Sequence, residues 1–399
     1  MRDAYIVAAV RTPGCRRGKG AFAQTRPEDL IVTALQGVVQ RAGVDKAAVE
    51  EVMMGCAFPE AEQGLNLGRI APLMAGFPID TTGAICNRFC ASGLEAIAIS
   101  AMRIMSGWCD VAIGSGCESM SIVPMGGNMP RPHPEWAKTK PDVYVSMGIT
   151  AENVAKRYNI TRDMMDEFGF HSQAKASAAQ QNKDFTEIVP TPATTYSFKD
   201  GKWVKESKMQ DFDDGVRATT VEGLGKLKPA FSSTGSVTAG NSSQTTDGAA
   251  ATLLMSEEAL KKYNVKPIAK FKMYAVAGCE PDEMGVGPAY AVPKLLKMAG
   301  LKVEDINLWE LNEAFASQCI YAMQKLGIYD DKKYWSSDSA SRIVNINGGA
   351  IALGHPLGCT GAKLAATLVN NMKKKNAKYG VESMCIGGGM GAAALFELV

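Results

Sequence analysis

The run Ala42-Gly43-Val44 leads through a loop to Val52-Met53-Met54-Gly55-Cys56-Ala57-Phe58. Far downstream, Ala299-Gly300-Leu301 leads to Leu308-Trp309-Glu310-Leu311-Asn312-Glu313-Ala314-Phe315. Helix end, loop and strand recur in the same order, so the chain reads as two similar halves. A second echo sets Asp110-Val111-Ala112-Ile113-Gly114-Ser115-Gly116 beside Ser383-Met384-Cys385-Ile386-Gly387-Gly388-Gly389, each an apolar strand that ends in glycines. Strand-like runs such as Tyr5 to Val10 alternate with helical patterns, an order that argues for α/β layers. The best-marked helix is Pro27 to Ala42. Pro27 suits its first turn, Ile31, Ala34, Leu35, Val38 and Val39 form an apolar stripe, and Gly43 supplies a left-handed end.

With 399 residues, 46% of them hydrophobic and 21% charged, the chain can bury a large core across two or three domains or one layered unit. Its 43 basic and 41 acidic residues leave a formal charge of +2, so no global field recruits nucleic acid or an anionic membrane. An anionic ligand must then be held by local groups. The start, Met1-Arg2-Asp3-Ala4-Tyr5-Ile6-Val7, carries an early acid and no cationic leader, so no secretory signal is expected. No uncharged apolar stretch approaches the roughly 18 residues of a membrane span. Glu397-Leu398-Val399 is not a peroxisomal address, and the expected location is cytoplasmic. Lys373-Lys374-Lys375 reads as a solvated helix end. Ten cysteines without a Cys-x-x-Cys pair, beside three histidines, point to reduced thiols rather than a metal site or disulfide framework.

Between the two halves, Ser121 to Thr246 changes character, with Pro124, Pro130, Pro132 and Pro134 and many polar residues. It reads as an inserted domain that covers a site on the scaffold.

Four positions carry chemistry. Cys90 precedes Ala91-Ser92-Gly93-Leu94-Glu95, a small-residue turn into a helix, where the dipole end can lower a thiol from about 8.5 towards neutrality. An inert buried cysteine is the alternative. His133 lies between prolines and His171 on a polar helix. His355 instead sits in Asn347-Gly348-Gly349-Ala350-Ile351-Ala352-Leu353-Gly354-His355-Pro356, a glycine-fixed path that permits close backbone approach to a ligand. Cys385 stands at a strand end, where α/β sites form, with a buried structural thiol as the alternative. Asn312 lies at a strand-to-helix junction, where it is an ordinary N-cap or an amide that holds a water.

Together these segments resemble the thiolase family over nearly the full length. The match runs from Ile6-Val7-Ala8-Ala9-Val10-Arg11-Thr12-Pro13 through Asn87-Arg88-Phe89-Cys90, Gly116-Cys117-Glu118-Ser119-Met120-Ser121 and Gly235-Ser236-Val237-Thr238-Ala239-Gly240-Asn241. It continues through Asn312-Glu313-Ala314-Phe315 and Gly354-His355-Pro356 to Cys385-Ile386-Gly387. The resemblance implies an α/β fold of five layers, α-β-α-β-α, made of two similar halves with an inserted loop domain. Residues 1–120, completed by 247–265, would form the N-terminal half, 121–246 the loop domain over the coenzyme A site, and 266–399 the C-terminal half. It also implies a homodimer or homotetramer, a multienzyme partner in β-oxidation, and coenzyme A as substrate with no permanently bound cofactor.

By the same resemblance, Cys90 is the acylated nucleophile, Cys385 the acid and base, and His355 with a water on Asn312 the donors to the enolate oxygen. The backbone amides of Cys90 and Gly387 form a second oxyanion hole. Ser243, Ala239 and Phe231 contact the pantetheine, Met147 and Phe315 lie near the acyl group, and Arg217 faces the nucleotide. The expected reaction is thiolytic cleavage of a 3-ketoacyl-CoA. Tyr144-Val145-Ser146-Met147-Gly148 lacks the histidine of short-chain biosynthetic thiolases, which favours the degradative type over an acetyl-CoA acetyltransferase. A ketoacyl synthase is disfavoured by the second cysteine, and a noncatalytic CoA or lipid binder by the presence of Cys90, His355 and Cys385 together.

Overall fold

The computed structural model describes residues 2–399. Its strands are β1 (Ala4–Arg11), β2 (Cys15–Arg16), β3 (Glu51–Gly55), β4 (Thr82–Cys86), β5 (Val111–Ser119), β6 (Thr191–Lys199), β7 (Lys202–Gln210), β8 (Thr246–Met255), β9 (Ala269–Gly278), β10 (Leu308–Leu311), β11 (Tyr379–Ile386) and β12 (Met390–Leu398). The helices are α1 (Pro27–Ala42), α2 (Leu67–Met74), α3 (Ser92–Ser106), α4 (Pro134–Thr139), α5 (Met147–Arg157), α6 (Arg162–Gln181), α7 (Val221–Gly225), α8 (Glu257–Tyr263), α9 (Pro288–Ala299), α10 (Ala316–Lys325), α11 (Ala350–Leu353) and α12 (Thr360–Lys375). Helix α1 has the bounds its pattern predicts, with Pro27 in its first turn and Gly43 at φ 69° closing it.

One large sheet runs β10-β11-β12-β9-β1-β8-β5-β3-β4. In the first half β4, β3 and β5 are parallel and β8 and β1 follow antiparallel. The second half repeats this order. A short bridge at Val344 runs parallel to β10, β10 is parallel to β11, and β12 and β9 follow antiparallel. The two halves join where the first residues of β1 pair with β9.

Strand alternation divides the interior into stacked cores. Leu253 and Met255 on β8 face α1, through Leu30, Ile31 and Leu35. Leu254, one residue on, faces the opposite way, into a central layer shared by α3 and α12. The other side of that layer is lined by Leu308, Met384 and Ala394 of the second half, and beyond its sheet α9 and α10 cover Trp309, Val381 and Leu395. These are the five expected layers.

The repeat differs in one respect from its sequence reading. Aligning Ala57-Phe58 with Ala314-Phe315 makes Met54 the counterpart of Leu311. Met54 pairs with Ser115 and Leu311 with Ser383, so Ser383 corresponds to Ser115 and not to Asp110. The glycines misled because they serve different ends. Gly114 and Gly116 lie inside β5, where a Cβ would come within 2.4 Å of Ile97 Cα and 2.8 Å of Cys359 Cα, whereas Gly388 and Gly389 follow β11 with positive φ.

Strands β5 and β8 are sheet neighbours, and the chain between them leaves the large sheet to form α4 to α7 and the β6-β7 hairpin. By length and apolar composition, 89–106 is the one helical stretch among the described residues that could cross a membrane. It is the central core helix, with 61% of that window buried.

Candidate active site

Cys90 lies in the single 3₁₀ turn Phe89–Ala91 that opens α3. The turn is held from both sides. Phe89, at φ +43°, donates its amide to Asn87 Oδ1 at 2.8 Å, and Ser92 Oγ donates to Phe89 O at 2.7 Å. Such a conformation is costly for a bulky residue and persists only where its surroundings enforce it. Cys90 is fully buried and packs with Met120, Leu357 and Met147. Burial pushes its thiol up to about 11, against the pull of the Gly387 and Cys90 amides. This corrects the expectation of a thiol near neutrality: the helix end favours the thiolate, but desolvation outweighs it.

His355 leaves a turn that only glycine accommodates. Gly354 has φ +81°, and a Cβ there would lie 2.2 Å from Thr246 Oγ1. The His355 amide donates to Gln244 O at 3.0 Å and Thr246 Oγ1 at 3.1 Å. Its Nδ1 lies 2.5 Å from Thr360 Oγ1, which donates to Pro356 O at 3.1 Å. Because a carbonyl only accepts, the single hydroxyl proton goes there and Thr360 accepts from Nδ1–H. The network thereby assigns the lone pair to Nε2. Asn312 Nδ2 faces Nε2 at 3.4 Å. Burial, and then the Lys363 charge, pull the imidazole down to about 3, so it is neutral at physiological pH.

Asn312 follows β10, and α10 begins later, at Ala316, after Phe315, so the asparagine is not a helix cap. Its Oδ1 is buried without a hydrogen-bond partner in the protein. Cys385 is the penultimate residue of β11, with Sγ 3.5 Å from Gln318 Oε1. Burial, and then the neighbouring Cys90, raise its thiol well above the ordinary value. The Gly387 amide is directed at Cys90, and a Cβ on Gly387 would approach only the Phe89 ring, at 3.7 Å.

Two glycines fix these stretches against each other. Gly93 and Gly361 are each the second residue of a central helix. A Cβ on Gly93 would lie 2.6 Å from Ala362 N, and one on Gly361 would lie 2.2 Å from Leu94 N. Helices α3 and α12 therefore cross in backbone contact, directly after Cys90 and His355. Buried Glu118 ties the same region together by accepting from Ala57 N and Gly358 N, both at 2.8 Å.

A cavity of about 130 Å³ is lined by Met120, Met125, Met147, Phe231, Ser243, Phe315, His355 and Leu357, among others. Cys90 packs against three of these residues from within the core. Next along the chain, Ala239 and Arg217 line an open groove of about 510 Å³ with Thr219, Thr220, Leu224 and Leu227. His133 is exposed and caps α4, and His171 is buried against Ser337, so neither belongs to the site.

Residues 4–258 match the thiolase N-terminal domain family, and residues 265–398 match the thiolase C-terminal domain family. The chain belongs to the thiolase family. It is 47% identical over 401 aligned residues to the Bacillus subtilis 3-ketoacyl-CoA thiolase, covering 100% of both chains. It is 44% identical to the rat peroxisomal 3-ketoacyl-CoA thiolase A, covering 99% of this chain and 88% of that one. The crystal structure of the Bacillus anthracis acetyl-CoA acetyltransferase superposes with a TM-score of 0.86 at 37% identity, covering 100% of this chain and 99% of that chain. The protein is thus a thiolase-type acyltransferase, for which coenzyme A is a substrate. Among its described residues no group of three or more His, Cys, Asp or Glu side chains is placed to hold a metal ion.

Sequence reasoning passed over several residues of this candidate site: Thr360 on the imidazole, Gln318 on Cys385, and Met120, Gln244 and Leu357 in the cavity wall. Thr360 had a legible signal, a hydroxyl in the first helical turn after a His-Pro pair. Gln318 had none, because only packing of α10 on β11 brings it to Cys385.

Proposed function

We propose that this thiolase cleaves 3-ketoacyl-CoA with coenzyme A, giving acetyl-CoA and a shortened acyl-CoA through a Cys90 thioester. One observation carries the reading: His355, Met147, Phe231, Ser243 and Phe315 wall a single cavity, and Cys90 packs against that wall. In the resting site Cys90 is a thiol and His355 a neutral imidazole whose Nε2 lone pair faces Asn312 Nδ2. As sulfur bonds to the keto carbon, its proton passes to Nε2, and the imidazolium then donates to the oxygen that becomes the acetyl-CoA enolate. Asn312 Oδ1 holds a water at the same oxygen. The carbon–carbon bond breaks, Cys385 protonates the enolate carbon, and the resulting thiolate takes the proton of incoming coenzyme A, whose sulfur then attacks the Cys90 thioester. The acyl–Cys90 bond breaks and the released Cys90 sulfur takes its proton back from His355 Nε2. The amides of Cys90 and Gly387 receive the acyl carbonyl oxygen, where one lost donor typically costs about 10²–10³ in rate.

The wider groove lined by Arg217 and Ala239 suits the nucleotide end of coenzyme A, and Phe231 and Ser243 suit its pantetheine. The expected domain division, 1–120 with 247–265, 121–246 and 266–399, is consistent with the excursion between β5 and β8. A homodimer accounts for β4, the unpaired edge of the large sheet, and for exposed Leu65, Ile79 and Trp108. The bacterial relative favours a cytoplasmic location. Thiolysis assayed across a series of 3-ketoacyl-CoA lengths tests the reading. Turnover of medium and long chains is expected, whereas turnover of acetoacetyl-CoA alone would make the protein an acetyl-CoA acetyltransferase.

A further inference from the structure

Helix α11 is one turn, Ala350–Leu353, and it delivers Gly354 and His355 to the site. A buried charge stands at each of its ends. Glu313 accepts from Ile351 N at 3.2 Å at the first turn and from Asn345 Nδ2 at 2.8 Å. Lys363 Nζ donates to Leu353 O at 2.9 Å and Gly354 O at 3.0 Å, the two carbonyls immediately before His355. The signs complement the helix ends. Lys363 is only 4% exposed, and keeping an ammonium there is expensive. It lies three residues after Thr360 in α12, so both side chains leave one face of that helix. Arg11, Asp213, Cys359 and Glu310 lie near enough to act on its charge.

We propose that Lys363 is a positioning residue for His355, fixing the Leu353–Gly354 turn while Thr360, on the same helical face, fixes the ring. The proposal rests on the reading of His355 as a group that acts on the substrate. Through this pair α12 sets where the imidazole sits, just as α3 sets where Cys90 sits.

The test is thiolysis by the full-length protein and its Lys363→Met, Lys363→Arg, His355→Ala and Lys363→Met/His355→Ala variants. Lys363→Met is expected to lower kcat by about 10²-fold, the cost of displacing a reacting group by about 1 Å. KM for coenzyme A should stay within about twofold, because uniform binding is untouched. Lys363→Arg should recover most of kcat, since it keeps a charged donor at the two carbonyls. In the His355→Ala background, Lys363→Met should cost nothing further. Native kcat in Lys363→Met, or an undiminished second loss in the double variant, overturns the proposal. Native turnover by His355→Ala alone would instead overturn the reading of His355. If the methionine variant does not fold, Lys363→Gln is held to the same outcomes with a loss of about tenfold, since it keeps one donor.

Discussion

The backbone crossing of α3 and α12 makes Gly361→Ala the most informative small perturbation. The added Cβ would lie 2.2 Å from Leu94 N, 2.6 Å from its Cβ and 2.9 Å from its Cα, and no flexible side-chain end stands among these atoms to swing aside. Ordinary contact begins at 3.4 Å, so α12 must withdraw from α3 by about 1.2 Å there. Overpacking costs about 1–3 kcal/mol, and the better helix propensity of alanine returns about 1 kcal/mol, so the variant folds with a modest loss of stability. Catalysis suffers more. Thr360 and Lys363 ride on α12 while Cys90 stands at the start of α3, so the withdrawal separates imidazole from sulfur and should slow acylation by about 10²-fold. Rapid mixing with 3-ketoacyl-CoA, following the burst of acetyl-CoA, measures that step. Gly93→Ala, whose nearest contact is Ala362 N at 2.6 Å, should lose less. Native acylation by Gly361→Ala, or a greater loss in Gly93→Ala, would refute the reasoning.

In the free enzyme, burial holds Cys90 at about 11, so its alkylation by iodoacetamide should accelerate with pH through 10; a plateau below pH 8 would show an activated thiolate instead. Cys385→Ala should accumulate the acyl-enzyme, visible by intact mass, without completing turnover; full activity would exclude Cys385 as the proton carrier. Burial raises Glu310 to about 8, above its unfolded value, so stability present at low pH is lost as pH rises towards 8. Glu310→Gln should accordingly raise Tm relative to native at pH 8 and make little difference at pH 5, and equal effects at both would contradict this. Ile79→Asp places a charge beside the β4 edge and, on the proposed homodimer, should lower the sedimenting mass to that of a monomer, whereas a mass unchanged from native would count against that edge as an interface.

The layered fold was legible because strand periodicity and glycine punctuation survive in both halves: Val52 to Phe58 and Leu308 to Phe315 do occupy equivalent strands and the loops after them. The second echo slipped because Gly114 and Gly116 admit close packing inside a strand while Gly388 and Gly389 turn the chain, and one residue type hides both causes. Cys90, His355 and Cys385 stood out through their motifs. The protonation state of Cys90 did not, because a helix start announces itself locally whereas desolvation is set by Met120, Met147 and Leu357 arriving from elsewhere. Of the two readings open for Asn312, the cap falls because α10 begins only after Phe315, beyond the junction where the sequence places a helix start. Lys363 carries no signal of its own in the sequence, and only the path of Leu353 and Gly354 beneath it gives it a task.

The central claim is that acyl transfer passes through the sulfur of Cys90. Quenching the enzyme with 3-ketoacyl-CoA in the absence of coenzyme A and mapping the adduct by peptide mass spectrometry tests it directly. The account predicts an acyl group on Cys90 that coenzyme A removes and that Cys90→Ala lacks. An adduct on another residue, or full turnover by Cys90→Ala, would contradict it.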